Sequence, residues 1–308
     1  MELWQLQQLQ GLPLEVKIRK TQERIKEWYE HWNGQVYISF SGGKDSTVLL
    51  HIAREIYPDI EAVFIDTGLE YPEIREFVKR FDNVTWLKPK KNFKQVIEEY
   101  GYPVISKEIS KIVYGARHSK GKNQSYINKL DGLNPDGSRS EYNKFLLDAP
   151  FEISNRCCYY SKEKPCINYE RKSGKKCILG TMTDESRQRQ DGWLKTGCNA
   201  FNGNRPISKP ISFWKEQDIM QYYLRNNLPI ASCYGEIIES GQLEGQTCLE
   251  GCETNLTTSK CKRTGCMFCM FGVHLEKAPN RFQMMKETHP KQYDYCINKL
   301  GLGEVLDY

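Results

Sequence analysis

Residues 36–57 read VYISFSGGKDSTVLLHIAREIY, and the fold is decided by how this stretch divides. Val36, Tyr37, Ile38 and Phe40 form a short apolar run of residues that suit a strand. Ser41-Gly42-Gly43-Lys44-Asp45-Ser46 follows, and from Thr47 to Tyr57 apolar residues recur at helical spacing. Strand, glycine turn and helix in that order make an anion site. Two glycines let the backbone come close to a ligand, and a helix N-terminus offers N–H groups at the positive end of its dipole. Ser41 and Ser46 add hydroxyl donors, and Lys44 adds a mobile positive charge. Asp45 is the unexpected member, since a carboxylate beside phosphates makes sense chiefly through Mg²⁺.

This turn is not a Walker loop, which places four residues between its first glycine and its Gly-Lys pair. Its surroundings extend the pattern. Residues 61–65 (EAVFI) are a second strand ending in Asp66-Thr67-Gly68, and a helix runs over 73–81. Val84–Leu87 is a third strand, Phe93–Tyr100 a helix, and Lys176–Leu179 a strand entering Gly180. Strands alternating with helices imply an α/β fold with a doubly wound parallel sheet, whose ligands sit at the carboxyl ends of the strands. SGGKDS and Asp66-Thr67-Gly68 are two such tips and together read as a nucleotide contact. Residues 3–32 are helical, broken near Pro13, with Ile18, Ile25, Trp28 and Trp32 as an apolar stripe. Ser212 is placed to cap a helix near residues 214–226. Residues 278–300 divide at His289-Pro290 into two short helices, with Met284 and Met285 in the core.

At 308 residues the chain can bury a sizeable core in one large domain or two small ones. Its net charge of +5 is mildly basic, and no apolar run approaches the roughly 18–20 residues of a membrane helix. A soluble, cytoplasmic protein with no membrane partner is expected. The opening MELWQLQQLQ lacks a basic start and a clean apolar core, so it does not read as a signal peptide. Twelve cysteines in a reducing compartment point to metal or redox chemistry rather than disulfides.

Residues 106–129 set Lys107, Lys111, Arg117, Lys120, Lys122 and Lys129 against Glu108 alone. That is either a solvated surface helix or a patch for a polyanion such as nucleic acid. Residues 134–140 (NPDGSRS) read as a flexible turn. In RCCYYSKEKP (156–165), adjacent Cys157 and Cys158 lie among Arg156, Lys162 and Lys164, and nearby positive charge favours thiolates. TMTDESRQR (181–189) sets Ser186, Arg187 and Arg189 where they can hold phosphate or sulfate oxygens, or simply open a polar helix. Cys248, Cys252, Cys261, Cys266 and Cys269 fall within residues 246–271, the last two at CxxC spacing, which lets two thiolates reach one ion or cluster. Cys157 and Cys158 with Cys266 and Cys269 make a four-thiolate set that suits [4Fe–4S], with tetrahedral Zn²⁺ as the competitor. A second possibility is a local site joining Cys248, Cys252 or Cys261 to the CxxC, at spacing closer to that of a zinc finger.

Taken together, these segments resemble the phosphoadenosine phosphosulfate (PAPS) reductase family, within the PP-loop ATP pyrophosphatase, adenine nucleotide α-hydrolase-like superfamily. The likeness covers about residues 34–271. SFSGGKDSTVLLH (39–51) matches the nucleotide loop that grips the pyrophosphate end of ATP, and FIDTGLEYPE (64–73) matches the second nucleotide segment. The implied contacts are Ser39, Phe40, Ser41, Gly42, Gly43, Lys44, Asp45, Ser46, Asp66, Thr67 and Gly68. RCCYYSKEKP is similar to the Cys-Cys segment of the iron–sulfur adenylylsulfate reductases, and GTMTDESRQR (180–189) to their substrate segment. TGCMFC (264–269) stands where they carry the second cysteine pair. The resemblance implies a [4Fe–4S] cluster on Cys157, Cys158, Cys266 and Cys269, with substrate contacts from Lys162, Lys164, Ser186, Arg187 and Arg189.

Two departures redirect the expected activity. The reductases generally have a degenerate loop, whereas this chain keeps the full SGGKDS, as do ATP-cleaving relatives such as the small subunit of ATP sulfurylase and the tRNA and DNA sulfur-insertion enzymes. The reductases also carry a nucleophilic cysteine in a C-terminal Cys-Gly-Leu/Ile-His motif, whereas Cys296 lies in YCINKLGLGEVLDY. The expectation is an enzyme that binds ATP with Mg²⁺, releases pyrophosphate and adenylates an acceptor for sulfur insertion, with Lys44, Asp45 and Arg187 catalytic. Residues 106–129 and 156–176 would face a tRNA or DNA acceptor. Partners would include a sulfur donor such as a cysteine desulfurase, and a second copy of the chain. The alternatives are a sulfonucleotide reductase using a thioredoxin-like reductant, or thiol from Cys198, Cys233 or Cys296, and a non-catalytic iron–sulfur nucleotide-binding module. The expected divisions are a helical segment over 1–33, a nucleotide-binding domain over 34–230, and a cysteine-rich, mainly helical region over 231–308 completing the iron–sulfur site.

Overall fold

A computed structural model describes residues 1–119, 124–133, 138, 141–240 and 255–308. Lys120, Lys122, Cys248, Cys252 and all of the 134–140 turn except Ser138 lie outside the described residues. In chain order the elements begin with α1 (Leu3–Gln10), α2 (Leu14–His31), β1 (Val36–Ser39), α3 (Lys44–Ile56), β2 (Ala62–Ile65), α4 (Pro72–Val78) and β3 (Val84–Leu87). Next come α5 (Phe93–Tyr100), α6 (Lys107–His118), α7 (Gln124–Leu130), the short α8 (Arg156–Cys158), a wide π turn over Tyr159–Glu163, and α9 (Lys164–Ser173). After them run β4 (Lys176–Leu179), α10 (Arg187–Thr196), β5 (Asn199–Ala200), β6 (Ile207–Ser208), α11 (Glu216–Asn226), β7 (Ile237–Ser240) and β8 (Asn255–Thr258). The chain closes with α12 (Arg281–Thr288), α13 (Pro290–Asp294) and α14 (Leu302–Asp307). No helix among the described residues is long and apolar enough to cross a membrane.

These elements pack as two units, each assembled from separated stretches. The first holds residues 1–66, 70–87 and 166–264; the second holds 67–69, 88–165 and 265–308. The first is an α/β unit around a six-stranded sheet of order β3-β2-β1-β4-β6-β5, parallel throughout except for β5 against β6. Period-two alternation sorts β1 between the two faces: Val36, Ile38 and Phe40 enter the main core, while Tyr37 points to the opposite face beside Cys177. Trp28 and Ile25 of α2 are fully buried in that main core. Two polar residues of α2 are buried as well. Lys17 donates to Asp218 Oδ2 at 2.6 Å and to the Gln10 carbonyl at 2.8 Å, and Thr21 accepts from Trp214 Nε1 at 2.9 Å. Buried charge of this kind is tolerable because it is paired.

Helix α11 starts later than expected. Lys215 is its N-cap position, Asp218 accepts from the Lys215 N–H at 2.7 Å, and Ser212 is buried with its carbonyl accepting from Thr183. Ser212 lies three residues before that N-cap position, and its hydroxyl donates to Cys198 Sγ at 3.4 Å instead.

The second unit is mainly helical. Arg117 is turned inward, donating at 2.7, 2.7 and 2.9 Å to the carbonyls of Phe151, Leu146 and Ala149, so it ties the unit together rather than facing a polyanion. Gly101 (φ +97°) lies so close to Glu152 that a Cβ would stand 2.2 Å from its carbonyl carbon. Met285 is buried, whereas its neighbour Met284 on α12 is 46% exposed.

Candidate functional site

The carboxyl ends of the central strands carry the loop. Residues 41–46 follow β1, Asp66 follows β2, and Gly180 follows β4, where a Cβ would stand 3.2 Å from Ser46 Cα and 3.3 Å from the Asp45 carbonyl. This is the place where strand order reverses and open α/β sheets bind ligands. Gly42 adopts φ +71°, and a Cβ there would meet Val78 at 2.7 Å and Ile74 at 2.9 Å. Ser46 Oγ braces the turn: it accepts from the Ser41 N–H at 3.2 Å, pairs with Ser41 Oγ at 3.0 Å, and donates to the Gly43 carbonyl at 2.9 Å.

Lys44 opens α3 and is buried. Its N–H donates to the Tyr234 hydroxyl at 3.3 Å, its carbonyl accepts from Tyr223 at 3.2 Å, and its ammonium donates to the Lys262 carbonyl at 2.9 Å. The same ammonium is ion-paired with Glu216 on the first turn of α11. Asp45 beside it has a buried Oδ1 with no hydrogen-bond partner. Burial holds its carboxyl above the usual carboxylate range, against the pull of Lys44, Arg263 and Arg189. An orphaned carboxylate oxygen fits a hard cation such as Mg²⁺.

Around the loop, positive groups crowd one another. Burial and Arg263 both push Arg189 down, and burial and Arg189 do the same to Lys209. Glu185 partly offsets them, ion-paired with Arg189 and 3.7 Å from Arg263. An anion placed among these cations would relieve their mutual repulsion.

The expected residues separate. Ser186 caps α10, accepting from the Arg189 N–H at 3.4 Å, while Arg187 is exposed on the first turn. Of this arginine pair it is Arg189 whose charge reaches Asp45. Phe40 is only 1% exposed, its ring packed edge-on against Phe81, so its backbone rather than its ring borders the loop. Asp66 accepts from Arg75 at 2.8 Å and leaves its buried Oδ1 unpartnered. Glu216, Tyr234 and Arg263 were not anticipated. Of the three only Arg263 carries a local signal, the run KCKRTGC.

The four expected cysteines all lie in the second unit. Cys157 and Cys158 have sulfurs 3.9 Å apart. Cys158 is pulled down to about 6 by the hydrogen bond from Cys157 and by Lys107 and Lys162, while Cys157 is pushed up by that bond, by burial and by Cys158, Cys266 and Cys269. Cys269, pushed up by burial, faces the Phe271 N–H. The CxxC segment is hung on backbone bonds: Met267 N–H donates to the Leu69 carbonyl and Gly272 N–H to the Ile105 carbonyl, both at 2.8 Å. The four thiols thus influence one another's charge, and the donor set is right for iron or zinc. Among the described residues no three His, Cys, Asp or Glu side chains are grouped closely enough to hold a single metal ion. Cys261, Cys198 and Cys233 lie in the first unit, whereas Cys296 is in the second and fully buried.

The sequence model of the phosphoadenosine phosphosulfate reductase domain matches residues 35–114 and 119–270. The chain belongs to the phosphoadenosine phosphosulfate reductase family. Among curated relatives, an uncharacterized protein of Methanocaldococcus jannaschii is 26% identical over 291 residues, covering 92% of this chain and 52% of that protein. Sulfate adenylyltransferase subunit 2 of Salmonella arizonae is 26% identical over 200 residues, covering 63% of this chain and 58% of that protein. The chain therefore spans little more than half the length of these curated relatives. Among solved structures, the U34-tRNA thiolase NcsA of Methanococcus maripaludis with its [4Fe–4S] cluster aligns at 13% identity and a TM-score of 0.37, covering 96% of this chain and 81% of that one. Within this family match lie the loop at 41–46, the arginines at 189 and 263, and all four expected cysteines.

Proposed function

We propose that this member of the PAPS reductase family is a PP-loop ATP pyrophosphatase that adenylates an acceptor, tRNA or DNA, for sulfur insertion. The observation that carries the reading is Asp45, a carboxylate at the start of α3 with a buried oxygen lacking any partner, next to an intact Lys44. That pair is useful for a metal-bound pyrophosphate and wasted on a sulfonucleotide with no β-phosphate. The acceptor oxygen would attack the α-phosphorus, and the bond to the bridging oxygen of pyrophosphate would break. Lys44 would exchange Glu216 for the departing pyrophosphate, and Arg189 and Arg263 would hold the remaining charge, so the chain acts mainly by positioning and electrostatics. Mg²⁺ held by Asp45 would neutralise phosphate oxygens.

Cys157, Cys158, Cys266 and Cys269 would hold a [4Fe–4S] cluster, which can stiffen the fold, carry sulfur or pass electrons. A cluster of this kind takes one thiolate on each iron, which suits a set of four cysteines. In this reading residues 231–308 complete the cluster site, the sulfur comes from a donor such as a cysteine desulfurase, and the compartment is the reducing cytoplasm. The reductase alternative is disfavoured by Cys296, whose thiol is buried and pushed up to about 12 by that burial.

The test is to purify the protein without oxygen and incubate it with ATP, Mg²⁺ and candidate tRNA or DNA, assaying pyrophosphate and AMP. Pyrophosphate release that falls about a hundredfold or more in Lys44→Ala is expected. Sulfite from a sulfonucleotide with no pyrophosphate under any condition would replace this reading with the reductase.

A further inference from the structure

Two clusters of rings and cations flank the Cys157–Cys158 pair in the second unit. On its N-terminal side, the Arg156 guanidinium lies 5.7 Å from the centre of the Tyr114 ring, and Tyr114 stacks on His118 at 4.2 Å with 19° between planes. Arg156 and His118 are both exposed. On its C-terminal side, Tyr100 and Tyr160 stack at 4.9 Å with 18° between planes. Lys91 Nζ stands 5.2 Å from the centre of each ring, and Lys164 Nζ stands 5.0 Å from that of Tyr160. Both tyrosines are half-buried at the surface. The acids facing these groups are Glu99, ion-paired with Lys91, and Glu152, 3.8 Å from His118 Nε2.

A site for simple anions needs cations alone. Aromatic faces alternating with cations serve a different ligand, one that offers flat rings and phosphates in turn. Duplexes hide their bases in the stack, so such surfaces take strands whose bases are free to leave it.

We propose that these two clusters form a binding surface for single-stranded nucleic acid, passing over the Cys157–Cys158 segment. Bases stack on the Tyr100–Tyr160 and Tyr114–His118 groups, and phosphates lie against Arg156, Lys91 and Lys164. This rests on the reading of a nucleic-acid acceptor and deepens it, because it requires the acceptor to present an unpaired segment.

The test measures anisotropy of labelled RNA and DNA single strands of one sequence, and of their duplexes, with the anaerobic holoprotein and without ATP. Single strands should bind at least about tenfold more tightly than duplexes. Tyr160→Leu should weaken binding by about fivefold or more, with Tyr160→Phe close to wild type, because each stacked base contributes a sequence-tolerant share. The double change Lys91→Ala with Lys164→Ala should lower the slope of log K against log salt by about 1.4. Melting curves confirm that each variant is folded. Preference for RNA or for DNA identifies the sugar, and either supports the surface. Duplexes bound as tightly as single strands, or folded Tyr160→Leu and His118→Ala proteins binding like wild type, would overturn it. Failure of the ATP reading shows separately, as absent pyrophosphate while single strands still bind.

Discussion

The loop at residues 41–46 and the cysteine set at 157, 158, 266 and 269 are built on opposite plans. The loop is braced by its own chain: its serines pair with each other, two tyrosines hold the backbone of Lys44, and Glu216 pairs with the ammonium. The cysteines share one unit and feel one another's charge, and their thiols are the donors that a bound iron or zinc would gather. A preorganised anion site costs little to fill, whereas a thiolate site draws part of its order from the group it binds. One region is therefore expected to survive the loss of its ligand, and the other to depend on it.

The sharpest separation comes from paired variants. Lys44→Ala should cut pyrophosphate release about a hundredfold or more while leaving iron content and visible absorbance intact. Cys266→Ser should remove at least half of the iron yet keep nucleotide binding near wild type, read by iron analysis and by equilibrium ATP binding. Loss of both properties in either variant would break the comparison.

Next in size is Asp45→Asn. The carboxyl is held above its ordinary range, so the folded state prefers it protonated. Its contribution to stability is full at pH below the unfolded value and is lost as pH rises through the folded one. At neutral pH the Asn variant should melt higher than wild type and lose that pH dependence, while pyrophosphate release falls sharply.

A smaller effect concerns Cys158. With its pKa near 6, the ligand-free protein should be alkylated there first at neutral pH, and the rate should drop as pH falls below about 6. Peptide mapping by mass spectrometry should show Cys158 labelled ahead of Cys157 and Cys269, and protected once a cluster is loaded. The smallest effect is expected of Glu216→Gln, which removes the carboxylate that competes with phosphate for Lys44. Because Glu216 is 43% exposed, ATP should bind only about two- to fivefold more tightly.

Legibility in the sequence followed chain distance. The strand, turn and helix around SGGKDS were readable because six consecutive residues carry both the geometry and the chemistry. The parallel sheet followed from alternation, and the stripe of α2 from its period. What holds Lys44 was not readable, since Glu216 and Lys262 lie 172 and 218 residues away with no period linking them to the loop. Arg117 belonged by composition to a basic patch, and only the three carbonyls it meets show it turned inward. Lys17 and Thr21 interrupt an apolar face because Asp218 and Trp214 wait opposite them. Arg189 and Arg187, two positions apart on α10, take nearly opposite sides, and only the partners of Arg189, Glu185 and Asp45, show which of them meets the loop.

Glu216 has one more consequence. Its neighbour Gln217 clamps strand β8, donating to the Leu256 carbonyl at 2.9 Å and accepting from the Leu256 N–H at 2.8 Å. A phosphate that evicts Glu216 from Lys44 therefore tugs on the same helical turn that pins the β7–β8 hairpin. The amide of Leu256 becomes a built-in gauge of occupancy: its hydrogen-exchange rate should register nucleotide in the loop, at a site that touches no nucleotide itself.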